Sequence, residues 1–160
     1  MGVTVNGAKG FLSEKVANCD VVMLKIVDSP HAQSFRAQVK RVYAARKAVD
    51  AAVLGSEIEF VGCPANWGQV SLAVGDTALV FLKSISGCLY EDAWRGHMVV
   101  EQIDGETYAV FQHRELWLST NVPTEIRDCS RQDPTRPYAS AVRLDALEAY
   151  LLLLIAKTDA

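Results

Sequence analysis

Cys88, Asp92 and His97 stand close together in the stretch "GCLYEDAWRGH". A thiol with a carboxylate and an imidazole nearby is the equipment of a cysteine nucleophile with its base. Small residues, Ser86 and Gly87, precede the thiol, but no oxyanion donor can be assigned from the sequence. His31, His97 and His113 are the only histidines. Zinc would need such residues with cysteines at short spacings. Cys88 and His97 can meet across one loop, and no second pair supports them. The expectation is therefore a chain without catalytic residues, bound metal or cofactor. A small thiol-dependent enzyme with its site near Cys88 and His97 is the lesser alternative.

Two other groups of residues could bind rather than react. "FRAQVKRVYAARK" carries Arg36, Lys40, Arg41, Arg46 and Lys47, with no acidic residue between Asp28 and Asp50. A basic strand beside aromatics such as Phe35 and Tyr43 is how small barrels take single-stranded nucleic acid. A solvated outer strand face explains the same charges. Trp67, Tyr90 and Trp94 sit in stretches rich in glycine, beside Gly68, Gly87 and Gly96. Loop aromatics are enriched at recognition surfaces and also plug barrel ends. Trp117 opens a polar, proline-marked connection from Leu116 to Pro137.

The elements that must position these residues are legible along the chain. "FLSEKVANC" places Phe11, Leu12, Val16 and Cys19 near one helical stripe. "DVVMLKIVDS" is the first strand and ends at Asp28-Ser29-Pro30. In the second, "SFRAQVKRVY", Phe35, Ala37 and Val39 alternate with Arg36, Gln38 and Lys40; then Arg41 shifts the apolar phase by one residue. That slip is the mark of a β-bulge, and a sharply bent strand suits a small closed barrel. "AARKAVDAAVLG" has helix-favouring composition and predicts a short helical excursion. "SEIEFVG" is the third strand. In the fourth, "GDTALVFLK", Ala78 to Leu82 are apolar without interruption, so both faces need cover. Ser84 to Gly96 read as a loop, "HMVVEQIDGETYAVF" as a hairpin about Asp104-Gly105, and Ser140 as the cap of a final helix. That helix carries Leu144, Leu147, Leu151, Leu154 and Ile155 at helical spacing, a roof for the outer face of the fourth strand.

The bulk numbers agree with one globular unit over 1–160. The chain has 160 residues, half of them hydrophobic, and a formal net charge of −3. Such a charge gives no general attraction to nucleic acid or anionic membranes. No apolar run approaches the ~20 residues of a membrane span. Cys19, Cys63, Cys88 and Cys129 are widely spaced without a CxxC, which reads as reduced thiols in the cytoplasm; one or two disulfides would go with an exported chain whose leader has been removed.

"CDVVMLKIV", "FRAQVKRVY" with its phase slip, "GSEIEFVG" and "LAVGDTALVFL" together resemble the netrin-like domain family, which includes the tissue inhibitors of metalloproteinases. The resemblance covers roughly Asn18 to Phe111 and implies an OB-type barrel with flanking helices. It does not imply protease inhibition. Those inhibitors chelate the protease zinc through a free N-terminal cysteine, whereas Cys19 here lies behind a predicted helix and no Cys-x-Cys follows. The stretch Lys47 to Leu54 is also an insertion relative to the family.

The expected architecture is thus mainly β: a five- or six-stranded OB-like barrel with an N-terminal and a C-terminal α-helix. The expected function is that of a non-catalytic module binding another protein through barrel-end loops that carry Trp67, Tyr90 and Trp94. The alternative is a single-stranded nucleic-acid binder using Arg36, Lys40 and Arg41.

Overall fold

The computed structural model describes residues 6–63, 71–93, 96–111, 126, 128–136 and 139–159. Helix α1 (Asn6–Asn18) leads into β1 (Asp20–His31), β2 (Ser34–Ala44), β3 (Glu57–Val61), β4 (Thr77–Ile85) and β5 (Cys88–Glu91). These five strands pair in the ring β1-β2-β3-β5-β4 and back to β1, a closed barrel of OB-like order. Every contact in the ring is antiparallel except β3–β5, which meet in parallel at Val61 and Tyr90.

Closure depends on bending, and the second strand supplies it. Met23 pairs with Arg41 and Leu24 with Val39, so Lys40 is the extra residue of a bulge. Lys40 and Arg41 are both exposed, while Phe35, Ala37 and Val39 before them and Ala44 after them are buried. The charge doublet is therefore where the strand changes phase.

Strand β4 answers for both of its apolar faces. Ala78, Val80 and Leu82 fill the barrel with Val22, Leu24, Ile26, Phe35, Val39 and Phe60. Leu79 and Phe81 point outward and join Val21, Met23 and Met98 beneath the helices. The roof is α2 (Leu144–Asp159), whose Leu147 and Leu151 are fully buried and whose Leu154 and Ile155 are nearly so. At about 1.5–3 kcal/mol per buried aliphatic side chain, this stripe is a large share of a domain's stability. Leu12 and Val16 of α1, and Cys19 just after it, enter the same outer cluster; the side chain of Phe11 lies outside the described residues.

Past the barrel, the N-terminal half of β4 also pairs with β6 (His97–Ile103), and the sheet continues through β7 (Glu106–Phe111) and β9 (Ser140–Arg143) to β8 (Ser130–Gln132). The β6–β7 turn is Asp104-Gly105, with φ of 52° and 83° at the two positions, the left-handed pair a two-residue hairpin needs. Among the described residues no helix is long and apolar enough to cross a membrane.

Four expectations change. Residues 84–96 are not all loop: β4 runs on to Ile85, turns at Ser86-Gly87 (φ 53° and 83°) and returns as β5. Ser140 caps no helix, because it is buried in β9 opposite Gln132 and Phe111. The polar connection that begins at Leu116 contains a strand, β8, within its second half. The helical excursion shrinks to a 3₁₀ turn at Ala51–Val53. The fully buried Asp20 carboxylate accepts the backbone N–H groups of Arg46, Lys47, Ala48 and Val49, at 2.7–3.1 Å. Those donors are committed to a carboxylate and do not build helical hydrogen bonds. The Arg46 and Lys47 side chains donate to the carbonyls of Val16 and Ala17, the end of α1 where cations are favoured.

Candidate functional site

The barrel end beside β3, β5 and β6 holds the most constrained polar chemistry in the molecule's described part. Glu91 closes β5 and His97 opens β6; both side chains are almost wholly buried, with Nδ1 of His97 2.5 Å from Oε2 of Glu91. The other oxygen, Oε1, accepts the backbone N–H of Cys63 at 3.1 Å. One carboxylate therefore ties together the end of β3 and the start of β6. The Cys63 thiol in turn approaches the carbonyls of Glu91 and Asp92, at 3.5 and 3.6 Å.

Glycines make the approach feasible. A Cβ on Gly62 would lie 2.7 Å from the Phe35 ring, and one on Gly96 would overlap both the Asp92 carbonyl and the Glu91 side chain. Below the pair is a cavity of about 60 Å³, bordered by Gln33, Phe35, Cys63, Leu72, Glu91 and His97. It has room for a few waters.

A second cluster braces the same end from outside. Lys15 of α1 is buried, and its ammonium lies 2.6 Å from Oδ2 of Asp92 and 5.7 Å from the centre of the Phe81 ring. Lys83 reaches Oδ1 of Asp92 at 2.9 Å. Burial acts to raise the Asp92 carboxyl, but hydrogen bonds and charge from the two lysines outweigh it and hold the group below its ordinary range. The Cys19 thiol is pushed up to about 12, by burial first and by the Asp92 charge second. It is an inert core thiol at neutral pH.

Comparison with family models, curated proteins and solved structures returned no match.

The residues singled out from the sequence are distributed unevenly. Cys88, Asp92 and His97 are not assembled into one site. Cys88 pairs with Ile85 and His97 with Val80, which sets them apart by about 16 Å of β4 at about 3.3 Å per residue. Asp92 is engaged by lysines, and the imidazole partner is Glu91. Among the described residues no three His, Cys, Asp or Glu side chains converge to hold a metal ion, and no disulfide joins the four cysteines. His113 and Trp117 lie outside the described residues.

Arg36, Lys40 and Arg41 are on the outer surface of β2. Arg36 is bound to Asp28 at 2.8 Å and faces Glu57 at 3.4 Å. Arg41 pairs with Glu148, which also accepts the Tyr43 hydroxyl. Lys40 donates to Gln38 at 3.0 Å. Both arginines thus have carboxylates of the chain itself as partners. The connections that carry nucleic acid in many OB barrels, β1–β2 and β4–β5, are here the two-residue turns Ala32-Gln33 and Ser86-Gly87.

Tyr90 is half-buried in β5, beside the Glu91–His97 pair. Trp67 and Trp94 lie outside the described residues. By chain connectivity, though, the segment with Trp67 begins after Cys63 and ends before Ser71, and Trp94 falls between Glu91 and His97. Cys63 and Ser71, which bound the segment with Trp67, border the 60 Å³ cavity, as do Glu91 and His97, which stand three residues before and after Trp94. Sequence reasoning missed Glu91, Cys63 and Lys15, since nothing in the local pattern links residues as far apart as 15 and 92.

Proposed function

We propose that the chain is a non-catalytic protein-interaction module of the netrin-like, OB-barrel kind, which meets another protein at the barrel end through Trp67, Tyr90 and Trp94. The observation that carries this reading is the Glu91 carboxylate. It bonds both the Cys63 backbone and the His97 ring, residues near Trp67 and Trp94 in sequence, and it follows Tyr90 in β5. Recognition loops on a rigid barrel are a common way for such scaffolds to bind. The single-stranded nucleic-acid reading draws less support, because the β1–β2 and β4–β5 connections that would hold a strand are only two-residue turns. The thiol-enzyme reading draws less support from the separation of Cys88 and His97.

The test is affinity capture from the source cell's lysate with the wild-type chain and with a Trp67→Ala/Tyr90→Ala/Trp94→Ala variant, melting temperatures measured in parallel. A partner held by the wild type and lost by a variant that still melts cooperatively near the wild-type temperature supports the reading. Undiminished capture by the variant removes the barrel end as the contact. Anisotropy of a labelled single-stranded oligonucleotide, titrated at rising salt, separates the alternative: steeply salt-weakened binding favours it.

A further inference from the structure

A groove of about 570 Å³ lies where the N-terminal end of α2 meets the outer face of the sheet. Its lining shares no residue with the barrel-end cavity, so the two are separate sites. The volume is in the range of small-ligand sites, about 300–1,000 Å³. The floor is apolar, made by Met23, Val100 and Leu144.

The lining carries both signs of charge in two ion-paired groups. On one side Glu148 is held by Arg41 and by the Tyr43 hydroxyl. On the other, Arg143 lies between Glu106, at 3.2 Å, and Asp145, at 3.0 Å. Two arginines against three carboxylates disfavour a simple anion. A ligand that brought only a cation would compete with Arg143 for Glu106 and Asp145 and offer the guanidinium nothing in return. A head group with an ammonium and a carboxylate on the same carbon answers an arginine and an acid standing side by side. The Arg143 pairs are solvent-exposed on both partners, and exposed pairs of this kind are worth little, about 0–1 kcal/mol. Exchanging them for a ligand's charges is therefore inexpensive.

We propose that this groove binds a free α-amino acid with an apolar side chain. Its carboxylate sits on Arg143, its ammonium on Glu106 or Asp145, and its side chain on Met23, Val100 and Leu144. The binding is non-covalent and involves no group transfer.

The experiment is a ¹⁵N–¹H NMR titration of the whole chain with L-leucine. Saturable shifts are expected at Val100, Thr107, Arg143 and Asp145. N-acetyl-leucine and leucinamide, each lacking one charge, should bind about two- to fivefold more weakly, as expected for loss of one exposed charge pair. Glycine, lacking the side chain, should also be weaker. The dipeptide Gly-Leu, whose two charges are farther apart, separates a free amino acid from a chain end: binding equal to leucine would overturn the choice of ligand. Arg143→Gln should weaken leucine about two- to fivefold with an unchanged melting temperature. Val100→Thr should weaken leucine and leave glycine as it was. No saturable shift, equal binding of glycine and leucine, or unaltered binding by Arg143→Gln would each overturn the proposal.

Discussion

Replacing Asp92 with Asn should show how strongly α1 is pinned to the barrel end. The Lys15–Asp92 pair is 8% and 15% exposed at its two side chains and 2.6 Å long. Removing one partner of a buried ion pair costs about 3–5 kcal/mol, because the other charge stays where water cannot reach it well. Here the Ala93 carbonyl, 3.4 Å from the Lys15 ammonium, and the Phe81 ring remain, so the low end, about 3 kcal/mol, is expected. The Lys83 arm is 43% exposed and adds no more than about 1 kcal/mol. Lys15→Met alone leaves Asp92 with Lys83 and should cost less. Adding Lys15→Met to Asp92→Asn should recover most of the loss, since an apolar replacement of a buried pair is often neutral. Urea denaturation of the four proteins closes the cycle. The pH dependence is a second reading of the same pair. Asp92 is held below its ordinary range in the folded state, so its contribution is full above about pH 4, the unfolded carboxyl range. It is lost as pH falls through the lower, folded value, and the gap between wild type and Asp92→Asn should narrow there. A cost under about 1 kcal/mol, a gap that does not narrow in acid, or no recovery in the double variant would refute the reasoning.

Three further outcomes rest on the packing. Leu151→Ala should lower stability by about 2–5 kcal/mol in urea, while Leu152→Ala, on the exposed side of the same helix, should stay within about 0.5 kcal/mol. Gly96→Ala should destabilise by about 1–3 kcal/mol, because its Cβ would lie against the Asp92 carbonyl and the Glu91 side chain; thermal melting reads this. In timed alkylation followed by mass spectrometry, Cys88, which is exposed, should react first, and Cys19, buried with its thiol raised to about 12, should react only on unfolding.

The parts of the fold that were legible are those in which one local pattern admits one structure. The unbroken run Ala78–Leu82 required cover on both faces, and the stripe Leu147, Leu151, Leu154, Ile155 was a long apolar surface in need of a partner. The Lys40-Arg41 doublet marked the bulge because two adjacent residues cannot share one face of a strand. Asp104-Gly105 announced its hairpin; Ser86-Gly87 did the same work with a weaker turn signal and only four residues of strand after it. Ser140 shows the limit of capping rules: a serine ahead of a leucine-rich run looks like a helix start, yet pairing with β7 and β8 claims its backbone first. The chemistry was less legible than the fold. Glu91 and His97 come together only because β5 and β6 both flank β4, and Lys15 reaches Asp92 only once the barrel has closed under α1. Neither juxtaposition has a sequence spacing of its own.

The claim that the barrel end is the contact surface is tested most directly by photo-crosslinking. Tyr90 is replaced by p-benzoylphenylalanine, and Leu152, exposed on α2, is replaced in the same way in a second chain. Irradiation in source-cell lysate should give a discrete protein adduct from position 90 and none from position 152. Adducts of equal yield from both positions, or from 152 alone, would contradict it.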